Sequence, residues 1–149
     1  MRQTDYMTGG EDFQHMLAAH FMQTRVYYYP VNAKGDKLAT TITMGGFGSV
    51  PIVDQDKKLL GIVSEFDLLT AIIGGKELKN IVAGEIMSRK PHTVFDYTPC
   101  EEVIALLQEK YLIRVPVVNK DNTLVGILSR TDILHGYLKS KEHPPSWWS

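Results

Sequence analysis

Two short segments carry a serine followed three residues later by an aspartate: Ser64-Glu65-Phe66-Asp67 and Ser129-Arg130-Thr131-Asp132. Ahead of a run with helical spacing, that pair is a capping box, in which the serine accepts from the helix backbone and the acid accepts in return. Such a cap needs no ligand. The same geometry can also do chemistry, because a helix N-terminus offers amide donors to phosphate, serine adds a hydroxyl, and aspartate can accept from a sugar diol. The two readings are compatible, and spacing alone does not choose between them.

Other reactive residue types are poorly placed for catalysis. His15 and His20 are five residues apart, which misaligns them for a shared helical metal site, and no Cys/His cluster points to zinc. Cys100 follows Pro99 in the expected first turn of a helix, where the dipole can lower a thiol pKa, but no base stands at a readable spacing. No Ser/His/Asp arrangement, glycine-rich phosphate loop or metal-carboxylate motif stands out. The expectation is a protein that is not an enzyme.

The elements that position the Ser-x-x-Asp segments are themselves duplicated. Ser49-Val50-Pro51-Ile52-Val53-Asp54, running on to Leu59-Leu60-Gly61-Ile62-Val63-Ser64, returns as Arg114-Val115-Pro116-Val117-Val118-Asn119 and Leu124-Val125-Gly126-Ile127-Leu128-Ser129. Pro51 and Pro116, Gly61 and Gly126, Ser64 and Ser129, and Asp67 and Asp132 are each 65 residues apart. A hairpin followed by a helix start is thus written twice, and a unit that cannot close its own core needs its copy.

Taken in order, Thr8 and Glu11 have capping-box spacing, and Phe13, Met16, Leu17, His20 and Phe21 predict an amphipathic helix over 11–22. Arg25 to Tyr29 favours a short strand ended by Pro30. Leu38 and Ile42 allow a helix over 34–44 despite its β-branched residues, and Gly45-Gly46 ends it. A hairpin and a helix ending at Gly74-Gly75 follow, and polar residues 76–80 connect to the second round. There His92-Thr93-Val94 matches Tyr27-Tyr28-Tyr29, and Thr98-Pro99-Cys100-Glu101 reads as a helix start with Thr98 as N-cap. The last helix ends near 138–139. Beyond it, Pro144 and Pro145 forbid helix, and Trp147-Trp148 predicts either burial against the body or a symmetry mate, or a docking peptide.

Bulk properties narrow the class. With 149 residues the chain suits one domain, 44% hydrophobic and 22% charged residues match an ordinary globular protein, and a net charge of −1 gives no field to gather nucleic acid or anionic lipid. A single cysteine, no long apolar run and no signal-peptide core point to a cytoplasmic protein.

The proline strand and the glycine-to-aspartate segment, present together and in order in both halves, resemble the cystathionine-β-synthase (CBS) domain. The tandem resembles the CBS pair called a Bateman module, over about residues 20–139. The resemblance implies an α/β (α+β) fold of two pseudo-symmetric CBS repeats packed through small β-sheets flanked by helices. Repeat 1 would cover 11–75 and repeat 2 81–139, joined by 76–80, with an N-terminal extension 1–10 and a C-terminal tail 140–149. It further implies two clefts that take adenosine-containing ligands, a homodimer forming a four-repeat disc, regulation or energy sensing through another protein, and no required cofactor.

Family clefts are composite, so the aspartate segment of one repeat would face the first strand and proline strand of the other. Carried over, one site joins Ser64, Phe66 and Asp67 to Thr93, Val94, Arg114 and Val115, and the other joins Ser129, Thr131 and Asp132 to Tyr28, Tyr29, Ser49 and Val50. Arg114 stands where phosphate-binding members often have a basic residue, and its counterpart is Ser49, so the first site is expected to suit phosphates better. Glu65 opposes this if it points inward, whereas Arg130 would help the other site if it does. Tyr28-Tyr29 in place of Thr93-Val94 would partly block the second site, and Lys90 and His92 would add charge near the first. The ligands implied are AMP, ADP, ATP or S-adenosylmethionine. Two alternatives remain: a ligand-free dimerisation or protein-interaction scaffold, and a regulatory piece of a larger enzyme or transporter, against which Met1 argues.

Overall fold

The computed structural model describes residues 10–142, the first three of them as backbone only. Thr8 of the expected first cap and the Trp147-Trp148 tail lie outside the described residues. Described helices are α1 (Gly10–His15), α2 (Gly35–Gly45), α3 (Glu65–Ile73), α4 (Ala83–Ile86), α5 (Cys100–Glu109) and α6 (Arg130–Ser140). Strands are β1 (Ser49–Val53), β2 (Leu59–Ser64), β3 (Val94–Phe95), β4 (Arg114–Val118) and β5 (Leu124–Ser129). Mixed helices and two small sheets, β1-β2 and β3-β4-β5, make up the architecture among these residues.

The chain divides into two compact units. One contains residues 10–24, Thr93–Asn119 and 125–142, and the other Arg25–His92 and Lys120–Leu124. The leading segment of each sequence repeat therefore belongs to the unit that carries the hairpin of the other repeat.

In the second unit, β1 and β2 pair antiparallel with Ser49 opposite Ser64 and Pro51 opposite Ile62. Alternation along β2 buries Leu59, Gly61 and Val63. Leu38 and Ile42 of α2 pack with Val50, Ile52, Val63 and Leu68 into one core. α2 forms in spite of its threonines because it buries Leu38 and Ile42 in that core, while the hydroxyls of Thr40, Thr41 and Thr43 find acceptors in carbonyls four residues back, at 2.9–3.1 Å. The hairpin turn is held by Asp54, whose Oδ1 accepts from the amides of Asp56 and Lys58 at 2.9 Å, with Lys57 in the left-handed region (φ 66).

The first unit repeats this plan. β3 and β4 run parallel with Val94 opposite Val117, and Phe21, Val103, Leu107, Val115, Leu128 and Ile133 form its core. Cys100 lies in that core with no exposed surface, and burial pushes its thiol up from 9.0 to about 11. The dipole effect expected from its place in a first helical turn is outweighed by desolvation.

A crossed contact recurs in both units. Ile62 and Ser88 exchange backbone hydrogen bonds of 3.0 and 2.9 Å, and Ile127 and Gln23 do so at 2.9 and 2.8 Å. The glycine preceding each isoleucine makes this approach possible. A Cβ on Gly61 would stand 2.4 Å from the Ser88 carbonyl oxygen, and one on Gly126 would stand 2.7 Å from the Met22 sulfur and 2.8 Å from the Gln23 oxygen.

Three local expectations are corrected. The helix over 11–22 stops at His15 and resumes only as a 3-10 turn, Ala18–His20. Tertiary bonds cause the break: the Ala18 amide donates to Thr98 at 2.8 Å, Cys100 donates to the Met16 carbonyl at 2.7 Å, and Leu17 is extended. Residues 25–29 form no strand, and only Tyr29 bridges to Ile52. Thr98 is not the N-cap of α5, because its hydroxyl accepts from the Phe95 amide at 2.9 Å and the helix starts after Pro99.

Replacing Gly61 by alanine should lower stability by about 1–3 kcal/mol, as overpacking does, with Gly126→Ala milder because the backbone carbonyl there stands 2.8 Å from the new Cβ and not 2.4 Å. Urea unfolding measures both, and a neutral Gly61→Ala would show that the crossed contact is looser than described. For Cys100, the folded-state pKa lies above the unfolded value, so its contribution to stability is intact below about pH 9 and fades as pH rises toward 11. Iodoacetamide at pH 8 should label the urea-unfolded chain far faster than the folded one.

Candidate functional site

Each Ser-x-x-Asp segment is a complete reciprocal cap. In the second unit, the Ser64 amide donates to Asp67 Oδ2 at 2.8 Å, and the Asp67 amide donates to Ser64 Oγ at 3.2 Å. In the first unit, the Ser129 amide donates to Asp132 Oδ2 at 2.9 Å, and the Asp132 amide donates to Ser129 Oγ at 3.0 Å. All four side chains are half-buried. Each cap fixes its serine hydroxyl and uses one oxygen of its carboxylate.

Neighbouring strand starts join these caps inside each unit. Ser49 lies opposite Ser64, and the Glu65 amide donates to the Gly48 carbonyl at 3.0 Å. At the equivalent place the Arg130 amide donates to Ile113 at 2.9 Å, which brings the start of β4, and so Arg114, to the end of β5. Both Ser49 and Arg114 are half-buried, as their equivalent positions require. Val50 and Val115 follow them into the two cores with almost no exposure.

The remaining candidates separate by role. Phe66 is 80% exposed and packs in neither core, so its ring is available to a ligand or partner. Glu65 is exposed as well. Arg130 Nε donates to the Leu112 carbonyl at 2.7 Å, and its side chain lines a cavity of about 470 Å³ with Ile104, Tyr111 and Leu134, so it braces the α5–β4 connection. Tyr29 bonds through its hydroxyl to Thr41 and packs against the core, while Tyr28 is exposed with the Lys57 ammonium 5.2 Å from its ring centre. Thr93 is half-buried and Val94 buried at the start of β3, and Lys90 and His92 are exposed.

Several polar residues that sequence reasoning did not select gather around Asp132. A cavity of about 330 Å³ in the first unit is lined by Thr131 and Asp132 together with His20, Gln23, His135 and Lys139. Gln23 Nε2 donates to Asp132 Oδ1 at 3.0 Å. The available signal was the helical spacing of Asp132, His135 and Lys139 on one face of α6. Among the described residues no group of three His, Cys, Asp or Glu side chains could hold a metal ion, and no helix is long and apolar enough to cross a membrane.

Comparison with known proteins identifies the family. The family model described as CBS domain matches residues 18–74 and 83–139. An uncharacterised protein of Methanopyrus kandleri is 34% identical over 90 residues, covering 60% of this chain and 46% of that protein. The chain spans about half the length of this and two further curated relatives. Arabidopsis thaliana CBSX2, solved in complex with AMP, is similar with a TM-score of 0.73 and 28% identity, over 85% of this chain and 98% of that one. The CBS domain pair of protein MJ0100, in complex with 5′-methylthioadenosine and S-adenosyl-L-methionine, reaches 0.71 and 25%, over 85% and 98%. With a match in each half that together take in most of the sequence, this chain belongs to the CBS-domain family as a tandem pair of CBS domains.

Proposed function

We propose that the chain is a non-catalytic regulatory module that binds an adenosine-containing ligand through its Ser-x-x-Asp segments and passes the state of occupancy to a partner protein. The observation that carries this reading is the pair of caps: two helix N-termini in which a half-buried serine and aspartate are held by backbone bonds at the same offset. A ribose diol would donate to the aspartate, phosphate or a polar substituent would meet the helix amides and serine, and Arg114 would add a charged fork for phosphate. Its support from relatives is that CBSX2 was solved with AMP and the MJ0100 pair with methylthioadenosine and S-adenosylmethionine.

Signalling would be a population shift, in which a ligand favours the arrangement of the chain it binds more tightly, and only that difference in affinity does work. Self-association supplies a route. On α3, Leu69, Ile72 and Ile73 are exposed, and the equivalent Leu134, Tyr137 and Leu138 of α6 are too. This repeated apolar face supports a homodimer as the form that responds.

AMP, ADP, ATP and S-adenosylmethionine are the compounds to test by thermal unfolding. A ligand at 100 times its Kd stabilises by about 2.7 kcal/mol, which raises Tm by several degrees. Asp67→Asn and Asp132→Asn together should abolish that rise beyond any change in the apo Tm. Native mass spectrometry of protein purified without nucleotide reads retained ligand and oligomer in one experiment. If no adenosyl compound shifts Tm at millimolar concentration, the scaffold alternative replaces this reading.

A further inference from the structure

The two aspartates are chemically alike and their caps superimpose in pattern, yet one carboxylate is occupied from within and the other is not. Asp132 accepts from the Ser129 amide on Oδ2 and from Gln23 Nε2 on Oδ1, at 2.9 and 3.0 Å. Asp67 accepts from the Ser64 amide on Oδ2, and among the described residues nothing donates to its Oδ1. The difference traces to one position. Gln23 is bridged to Ile127 as Ser88 is bridged to Ile62, and each pair sits beside its glycine in the same crossed contact. Backbone bonds of 2.8 and 2.9 Å fix where the Gln23 side chain begins, and its amide is long enough to reach the carboxylate. Serine at the equivalent place stops short.

We propose that Gln23 is a latch on Asp132, so that the two aspartates bind in order: a ligand diol is taken first at Asp67, and at Asp132 only when Gln23 is displaced. This rests on the adenosyl-ligand reading above and adds to it which aspartate is used first and which side chain decides. The carboxylate oxygen that Gln23 occupies is the one the cap leaves over, so the Gln23 amide takes one of its two lone pairs and stands where a diol reaching the same oxygen would have to lie. Gln23 also lines the cavity of about 330 Å³ that Asp132 and Thr131 share with His20, His135 and Lys139, so the latch and its acceptor border the same open space. Gln23 is exposed, and no other hydrogen bond among the described residues holds its side chain, so release breaks one bond and disturbs no core.

A hydrogen bond to a charged group of this kind is worth about a factor of ten in affinity to a competitor. Titration calorimetry with AMP and with S-adenosylmethionine on the full chain tests the latch. The wild type should bind one equivalent per chain, with the second about tenfold weaker, and Asp67→Asn should remove the tighter step. Gln23→Ser should bring the second step close to the first, and Ser88→Gln should weaken the first by about tenfold. Both substitutions exchange exposed polar residues that the other repeat already carries, and apo melting curves confirm that the variants fold. Two equal steps in the wild type, or a ratio that Gln23→Ser leaves unchanged, overturns the latch while the ligand reading stands. Absence of binding to the wild type and to every variant overturns the ligand reading and the latch with it.

Discussion

Backbone approach at Gly61 and Gly126 is the constraint from which the rest of each unit follows. An antiparallel bridge between a hairpin strand and a segment of the other repeat needs the two chains closer than any Cβ permits, and glycine grants it at both places. Because β2 and β5 lead directly into Ser64 and Ser129, the same contact that closes each core also sets the height and direction of each cap. Met22 or Met87 fills one side of the glycine, and the carbonyl of Gln23 or Ser88 lies on the other. Packing and site chemistry are one piece of geometry here. A change that loosened the bridge would move the carboxylates without touching them.

Much of this was legible in the sequence, because repetition is visible without coordinates. The 65-residue offset matched both hairpins, both caps and the Tyr27–Tyr29 segment with its counterpart, and the bridges Tyr29 to Ile52 and Val94 to Val117 occupy equivalent positions. Periodicity found α2, α3 and α6 within a residue or two. Failures cluster where tertiary bonds overrule local pattern. The apolar spacing of residues 13–21 fits a helix, but the Met16 carbonyl and the amides of Ala18 and Ala19 are claimed by residues 96–100. Thr98 has every local mark of an N-cap, yet a β-turn amide at Phe95 takes its hydroxyl. For Cys100 the place in a helix misleads, because its environment is a core.

Within the candidate site the sequence identified the residues that recur and overlooked those that do not. Ser64, Asp67, Ser129 and Asp132 stand out because each has a twin. Gln23, His20, His135 and Lys139 have no chemical twin at the matching positions, so a search for repeats passes over them, although they surround one of the two aspartates. Arg130 shows another side of this: a basic residue inside a motif also has a local task, because its Nε donates to the Leu112 carbonyl.

Duplicated sites face a particular difficulty, since two equivalent sites respond to one concentration range and report one event. Under the proposed reading, divergence at the positions flanking a shared cap would separate the responses at little cost to the fold, because those side chains are exposed while the cap and the glycine contact are not. Tyr29 illustrates the limit of such change. Its ring replaces Val94 and stays inside the structure by bonding Thr41, a partner on α2, so the enlarged side chain is absorbed by its own unit. Gly35 and Cys100 mark another limit: both donate a backbone bond at equivalent places, but a Cβ on Gly35 would stand 2.7 Å from the Leu78 carbonyl, so only the second repeat tolerates a side chain there. Gly61 and Gly126 stay alike because a backbone passes close at both places, whereas Gly35 and Cys100 differ because it leaves room for a side chain at only one. The positions free to differ lie at the rim of the caps, where a difference of one hydrogen bond is enough to rank two otherwise equal carboxylates.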